Sequence, residues 1–327
     1  MDISFFTNLG DLNTTGGYGR AGFGIVTSLQ RLGHRVPWND PTAPVKINFC
    51  FPSVFIDSLN TDQHNVYLGV WESTRLKPEW LDIIPQVDEV WTASEWCKRI
   101  YEDNGFKVTN VYPHGLDPSW APKKRTVGSK VRFLFEGGAS RKNPQIAFDA
   151  FKAAFGNSND VQLIMKEKYA SSVREYQGGN IVGTPGGNVK VITKVFEEDA
   201  MIQLFNEAHC LVLPTSGEGF SLPPLQMLGT GAPVIATEEC IDYSDYFGGL
   251  GLKSEYINSP WQGMHPGKVL KPDFDDLVDK YRYVYDNIEI LLPQFYKQSW
   301  KVHTEYDWDT LTETAFKNIV NKYSGNV

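Results

Sequence analysis

LVLPTSGEGFSLPPLQMLGTGAPVIA, residues 211–236, joins a strand, a glycine-bearing turn, a helix start and a second strand around the acid Glu218. Leu211 to Leu213 is short, apolar and β-branched at its centre, and it stops at Pro214. Ser216, Gly217 and Gly219 then make a loop. Pro223 or Pro224 suits the first turn of the following helix, where a missing N–H costs nothing, and Gly229 and Gly231 close that helix before the buried run Pro233 to Ala236. The loop of such a unit lies at the carboxyl end of a sheet. There the helix amino end offers free N–H groups and a positive dipole to an anion, ideally a phosphate. Glu218 belongs beside that anion site, unpaired within its own motif.

Outward from this unit, strands and helices alternate. Ile3 to Phe6 reads as a first strand, and Gly19 to Leu32 has the helical spacing Phe23, Val26, Leu29, Leu32, closed by Gly33-His34. Val45 to Phe51, Asn65 to Val70, Glu89 to Ala93 and Val108 to Tyr112 fit short buried strands, and Ser94 caps a helix over Glu95 to Asn104. The pattern is α/β with a mainly parallel sheet. After Asp117-Pro118-Ser119-Trp120-Ala121-Pro122, the aperiodic Lys123 to Lys130 reads as a linker. A second unit follows, with strands at Val131 to Phe135, Gln162 to Met165, Val189 to Ile192, Cys210 to Leu213 and Val234 to Ala236, and helices at Pro144 to Ala154 and Glu198 to His209. The expected organisation is two Rossmann-like domains, 1–122 and 123–298, with a cleft between them and a terminal helix over 299–327.

At 327 residues, 41% hydrophobic and 13% aromatic, the chain is globular and large enough for two cores. Its net charge of −8 is spread over both halves: nine basic and fourteen acidic residues precede position 122, and twenty-two and twenty-five follow. These totals give no support to nonspecific binding of nucleic acid or an anionic membrane. Cys50, Cys97, Cys210 and Cys240 are dispersed without a CxxC pair, so they read as buried reduced thiols. Met1 to Phe6 reads as a strand rather than a signal peptide, and no apolar stretch approaches the ~20 residues that span a bilayer. A cytoplasmic protein is expected.

Glu218-Gly219-Phe220-Ser221-Leu222-Pro223-Pro224-Leu225-Gln226, followed by Gly231-Ala232-Pro233-Val234-Ile235, resembles the Glu-x7-Glu block of retaining, nucleotide-sugar-dependent glycosyltransferases of the GT-B fold, family 4. In the same order, Gly16-Gly17-Tyr18-Gly19 resembles the family's N-terminal glycine loop and Trp91-Thr92-Ala93-Ser94-Glu95 its strand-to-Ser turn. Pro113-His114-Gly115-Leu116-Asp117 resembles its segment before the hinge, Arg141-Lys142-Asn143 its donor-phosphate loop, and Ser299-Trp300 the start of its final, back-crossing helix. The resemblance covers nearly the whole chain and implies a UDP- or GDP-sugar as donor and a hydroxyl, commonly of a glycan, as acceptor. It implies that Glu218 bonds the sugar hydroxyls and favours an oxocarbenium-like transition state. His114 and Glu72, the latter at the carboxyl end of a strand, are further candidates for catalysis. Arg141 and Lys142, with backbone amides of Gly16, Gly17, Gly219, Phe220, Ser221 and Leu222, would hold the diphosphate. These donors would replace the divalent ion of other glycosyltransferases, so neither cofactor nor metal is expected.

The chain departs from the pattern twice. Position 226, normally a second acid on the ribose hydroxyls, is Gln, which keeps one acceptor but loses charge-assisted strength. The family's Arg stands several residues before its Lys, whereas Arg141 adjoins Lys142. Other readings compete. Gly17-Tyr18-Gly19-Arg20-Ala21-Gly22 matches the GxGxxG of an NAD-dependent oxidoreductase, with Asp40 near the position of its ribose acid, but Thr7 to Gly16 intervene after the strand. A non-catalytic sugar-nucleotide-binding protein would account for Gln226. A hydroxymethylated base of phage DNA is a possible acceptor, although flipped-base recognition calls for a basic strip that the acidic first half lacks. Asp273-Phe274-Asp275 looks like a metal-binding Asp-x-Asp but reads as a helix cap, and the Tyr and Trp residues after 280 read as packing. The acceptor loops, Asn8 to Thr15, Pro52 to Asn65 and Glu72 to Trp80, carry no decodable signature.

Overall fold

Parallel strands need crossover connections, and the alternating chain supplies them. The computed structural model describes residues 1–7, 12, 16–167 and 187–324. Its first sheet holds β1 (Ile3–Phe6), β2 (Val45–Asn48), β3 (His64–Gly69), β4 (Glu89–Thr92) and β5 (Val108–Val111), all parallel and in chain order. Beyond β1, Phe5 bridges to Trp38, so the chain leaves β1 on one side and returns on the other. That reversal places the amino end of helix α1 (Gly17–Arg31) at a switch point. A short α2 (Pro52–Phe55) follows β2, and α3 (Glu95–Asp103) follows β4.

The second sheet contains β6 (Val131–Glu136), β7 (Val161–Lys166), β8 (Val189–Ile192), β9 (Cys210–Leu213), β10 (Val234–Thr237) and β11 (Gly251–Leu252) in the order β11-β10-β9-β6-β7-β8. Its strand order reverses between β6 and β9, so the loops after these two strands open into the crevice. The helices of this lobe are α4 (Pro144–Phe155), α5 (Glu198–Glu207) and α6 (Leu222–Gly229). An antiparallel hairpin, β12 (Ser254–Asn258) and β13 (Lys268–Pro272), then precedes α7 (Phe274–Glu305) and α8 (Trp308–Ser324). The sequence reading contained neither β11 nor the hairpin. Among the described residues no helix is long and apolar enough to cross a membrane.

Expected caps are present. Ser94 Oγ accepts from Cys97 N (3.1 Å), and Asp273 Oδ1 accepts from Asp276 N (2.9 Å), so the Asp-x-Asp segment caps α7. The four cysteines are free and buried. The GxGxxG reading is overturned: Gly17, Gly19 and Gly22 lie inside α1 and form no pyrophosphate turn. A Cβ on Gly22 would lie 2.9 Å from Leu12 Cδ2, so that glycine lets Leu12 pack against α1. Of the expected stripe, Val26 and Leu29 are buried, together with Ala21 and Ile25, while Phe23 is 41% exposed. The linker is pinned, because Arg125 donates to the carbonyls of Ala208, Phe205 and Thr230.

Ser299-Trp300 does not begin the final helix. Both residues lie within the long α7, and the chain turns back only between Glu305 and Trp308. Leu116 N donates to Tyr306 O (2.7 Å) there, and Trp308 fills the space left by Gly24 and Gly115, where added Cβ atoms would meet its ring at 2.3 and 2.5 Å. α8 is further tied to α1 by Arg31 and Ser28 on Asp309. The packing read for the late aromatics holds for Tyr281 and Trp308, whereas Tyr283 (52%) and Trp300 (58%) face outward on α7. Trp308→Ala is therefore expected to destabilise the chain by about 3–5 kcal/mol, and Trp300→Ala by no more than about 0.5 kcal/mol, both measured by urea unfolding. Equal losses would contradict this packing.

Candidate active site

The loop between β9 and α6 is shaped by contact with the other lobe. A Cβ on Gly217 would sit 2.0 Å from the Glu72 carbonyl oxygen, and one on Gly219 would sit 2.5 Å from Val70 Cβ, so only glycine fits at either position. Ser94 Oγ donates to Gly219 O (2.7 Å) across the same gap, and Asp242 of the second lobe accepts from Glu95 N (2.6 Å) at the start of α3. Within its own lobe the loop is held by Thr237 Oγ1 on Thr215 O and by Asn143 Nδ2 on Pro214 O. Ser221 enters α6 with φ 73°, in the left-handed region that a non-glycine residue adopts at a cost of about 1–2 kcal/mol. Tyr243 OH donates to the Ser221 carbonyl, and Ser221 Oγ is buried with no protein partner among the described residues.

Glu218 is not unpaired. Its Oε1 lies 2.8 Å from Arg141 NH1 and 3.7 Å from Lys142 Nζ, and it accepts from Thr215 Oγ1 at 2.9 Å. Arg141 also donates from NH1 to Gly217 O (2.7 Å) and from NH2 to Glu72 Oε1 (3.0 Å), so one guanidinium joins acids from both lobes. Burial alone would raise the Glu218 pKa, but Arg141, then Lys142 and Thr215, outweigh it and hold the carboxyl below the usual range. Glu72 goes the other way: burial lifts its pKa, Arg141 only partly offsets this, and the Glu218 charge adds to it. Burial would lower the Arg141 pKa, yet Glu218 and Glu72 raise it on balance, so it stays charged. Two protein carboxylates engage Arg141, and of the two cations Lys142 has the looser tie.

A cavity of about 410 Å³ opens against this cluster and is lined from both lobes. Gly16 and Gly17 reach it at the amino end of α1, while Gly219, Phe220, Ser221 and Leu222 reach it at the amino end of α6. Gln226 lines it from the next turn of α6, buried. His114 is 4% exposed between the rings of Phe49, Phe220 and Trp308, and its Nδ1 has no partner among the described residues. Burial pushes its pKa down to about 3, so the ring is neutral at pH 7. The structure thus gathers all twelve candidate residues around one cavity. It adds Tyr18, Arg20, Glu136 and Lys166 to the lining, and Thr215 and His265 to the charged cluster. Of these, only Lys166 and Glu136, at the carboxyl ends of β7 and β6, stood at positions from which a crevice role could have been read. Of the acceptor loops, Asn8–Thr15 lies outside the described residues except for Leu12.

No protein-family model matches this sequence, and no curated protein matches it. Solved structures do. Anabaena HepE, in complex with UDP and glucose, is similar at a TM-score of 0.69 and 12% identity, over 98% of this chain and 100% of that one. Sucrose-phosphate synthase from Thermosynechococcus elongatus is similar at 0.72 and 11%, over 100% of both chains. TarM is similar at 0.62 and 15%, over 91% of this chain and 57% of that one. The fold is GT-B. In GT-B terms, the switch points of the two sheets face one another, and the Arg141 cluster lies between them.

Three buried histidines give this structure a stability signature. Burial lowers the pKa of His114 to about 3, and burial first, then a nearby arginine, lowers those of His209 and His265 to about 4. These folded values lie below the unfolded value near 6.5, so the stability they contribute is complete above that pH and is lost as pH falls toward 4. Each should contribute a slope that rises from about 0.7 kcal/mol per pH unit at pH 6.5 toward about 1.4 near pH 5. Urea unfolding at stepped pH is expected to show this decline, shallower near pH 5 by about 1.4 kcal/mol per unit in His114→Asn. A stability independent of pH over that interval would refute the buried neutral rings.

Proposed function

We propose that the protein is a nucleotide-sugar-dependent glycosyltransferase that moves a sugar from a UDP- or GDP-sugar to a hydroxyl of a glycan acceptor, with retention and without an essential metal. The observation that carries this reading is the convergence of two helix amino ends, α1 from one lobe and α6 from the other, with Lys142 and Glu218 on a single cavity. A sugar diphosphate has the complementary form: an anion for N–H groups and a lysine, joined to hydroxyls for a carboxylate. HepE in complex with UDP-glucose, similar in fold, is consistent with such a donor.

In this reading the bond from the anomeric carbon to the phosphate oxygen breaks, and its electron pair stays on the phosphate. The amides of α1 and α6 and Lys142 stabilise the charge that develops there, which makes a divalent ion dispensable. Glu218 is ionised and lines the cavity, so it suits the sugar hydroxyls and the positive charge at the anomeric carbon. The acceptor oxygen bonds that carbon on the face the phosphate leaves, and its proton passes to Glu72, whose raised pKa favours taking it. His114, neutral, serves as a hydrogen-bonding group at the sugar. Gln226 stands where it can bond a ribose hydroxyl with one acceptor and one donor. The four buried free thiols suit a reducing, cytoplasmic compartment.

Incubation with labelled UDP- and GDP-sugars is expected to give transfer or slow donor hydrolysis that survives EDTA, with anomeric configuration read by proton NMR. Glu218→Ala should abolish turnover while UDP or GDP still binds, and unchanged turnover would refute its role. Lys142→Ala should weaken nucleotide binding by about tenfold or more, the value of one charge-assisted hydrogen bond. Gln226→Glu should tighten it, since an ionised acceptor bonds about twice as strongly.

A further inference from the structure

The hairpin of β12 and β13 belongs to neither sheet and spans the crevice. On the first lobe, Thr74 N donates to Lys268 O (2.9 Å) and Thr74 Oγ1 accepts from Lys268 N (2.8 Å). Tyr256 stacks on Trp96, with ring planes 7° apart. On the second lobe, Leu270 N donates to Ser216 O (2.8 Å), in the loop that carries Glu218. Gly267, at φ 84°, lets the hairpin reach Thr74; a Cβ there would lie 2.7 Å from Thr74 Oγ1.

His265 stands in the connection between the two strands. It is 9% exposed, its ring lies 5.3 Å from that of Trp71, and its Nδ1 is buried without a hydrogen-bond partner among the described residues. That nitrogen is 3.7 Å from Glu72 Oε2, so a movement of about 0.7 Å makes a hydrogen bond. The other oxygen, Oε1, is already on Arg141 NH2. Each oxygen of Glu72 therefore faces a different element of the second lobe, the phosphate-side loop and the hairpin.

We propose that His265 is a positioning residue for Glu72: its Nδ1–H holds Oε2 while Arg141 holds Oε1, which orients the carboxylate to receive the proton of the acceptor hydroxyl. A carboxylate has about four lone-pair sites, so two protein donors leave room for a substrate hydroxyl. The groups facing His265 are Glu72 from the first lobe, Arg141 and Lys77, which lower its pKa, and Glu218, which raises it; burial is the largest influence, and the ring is neutral at pH 7. A neutral ring carries one N–H, and only the Nδ1–H tautomer serves Glu72. Donation to the ionised carboxylate lowers the Glu72 pKa, so its loss moves the acidic limb of the rate profile to higher pH.

This inference rests on the reading of Glu72 as proton acceptor, and two independent measurements separate them. In the ¹⁵N-histidine NMR spectrum at pH 7, His265 should be the Nδ1–H tautomer in the wild type and the Nε2–H tautomer in Glu72→Ala. An Nε2–H wild-type ring overturns the proposal whatever the protein catalyses. In the transfer assay, His265→Phe should lower kcat on the order of tenfold with little change in donor KM and an upshifted acidic limb. His265→Asn, which places an amide N–H near the lost Nδ1, should restore much of both. Unchanged kcat and pH profile in His265→Phe, or equal loss in Phe and Asn with donor KM raised alongside, overturns it as well. Absence of transfer in the wild type would count against the proposed function, while the tautomer would still decide the His265 contact.

Discussion

Arg141 carries a full charge in a place where water hardly reaches, and that charge stays only because Glu218 from its own lobe and Glu72 from the other share its guanidinium. A buried cation with one acid removed leaves an uncompensated charge, worth roughly 3–5 kcal/mol against the folded state. The contact thus does two things at once. It holds the loops after β6 and β9 in register, and it fixes how closely the two lobes approach. Gly217 and Gly219 are consequences of the same approach, since a methyl group at either would push Glu72 or Val70 away.

Around that bridge the remaining parts take complementary electrostatic roles. Two helix amino ends and Lys142 make the cavity suited to negative charge, and Glu218 keeps an ionised carboxylate beside them, 3.7 Å from Lys142 Nζ. Burial then separates the two acids. Glu218, with Arg141, Lys142 and Thr215 around it, is held ionised, whereas Glu72, with less compensation and a like charge nearby, is biased toward holding a proton. Two carboxylates pushed apart in this way would suit the electrostatic stabiliser and the proton acceptor of the proposed transfer. The hairpin with His265 joins the second of these to a third element of the fold.

Local signals made most of the architecture legible. Short β-branched runs, Ser94 and Asp273 as caps, and glycines past helix ends marked strands and helices to within a few residues, because those preferences act over one or two turns of chain. Where packing decides, the sequence misled. Phe23 fits the helical period of α1 but faces outward, and Ser299-Trp300 resembled a helix start yet lies inside α7, which runs on through Pro293 to Glu305. The hairpin was invisible for a different reason: its strands alternate weakly, β12 buries little, and both are held by the lobes they strap rather than by their own propensity.

Residue identity by itself determined the strand–loop–helix unit around Glu218, the second acid at Glu72 and the basic pair Arg141-Lys142, and hence the kind of ligand that could be held. Tertiary structure decided how these charges are spent on one another. Glu72, Arg141 and Glu218 are each about seventy or more residues apart in the chain, and only the facing of two sheets brings both acids within 3.0 Å of the Arg141 guanidinium. Coulomb interaction depends on distance and on the exclusion of water, and neither quantity is written in the order of residues.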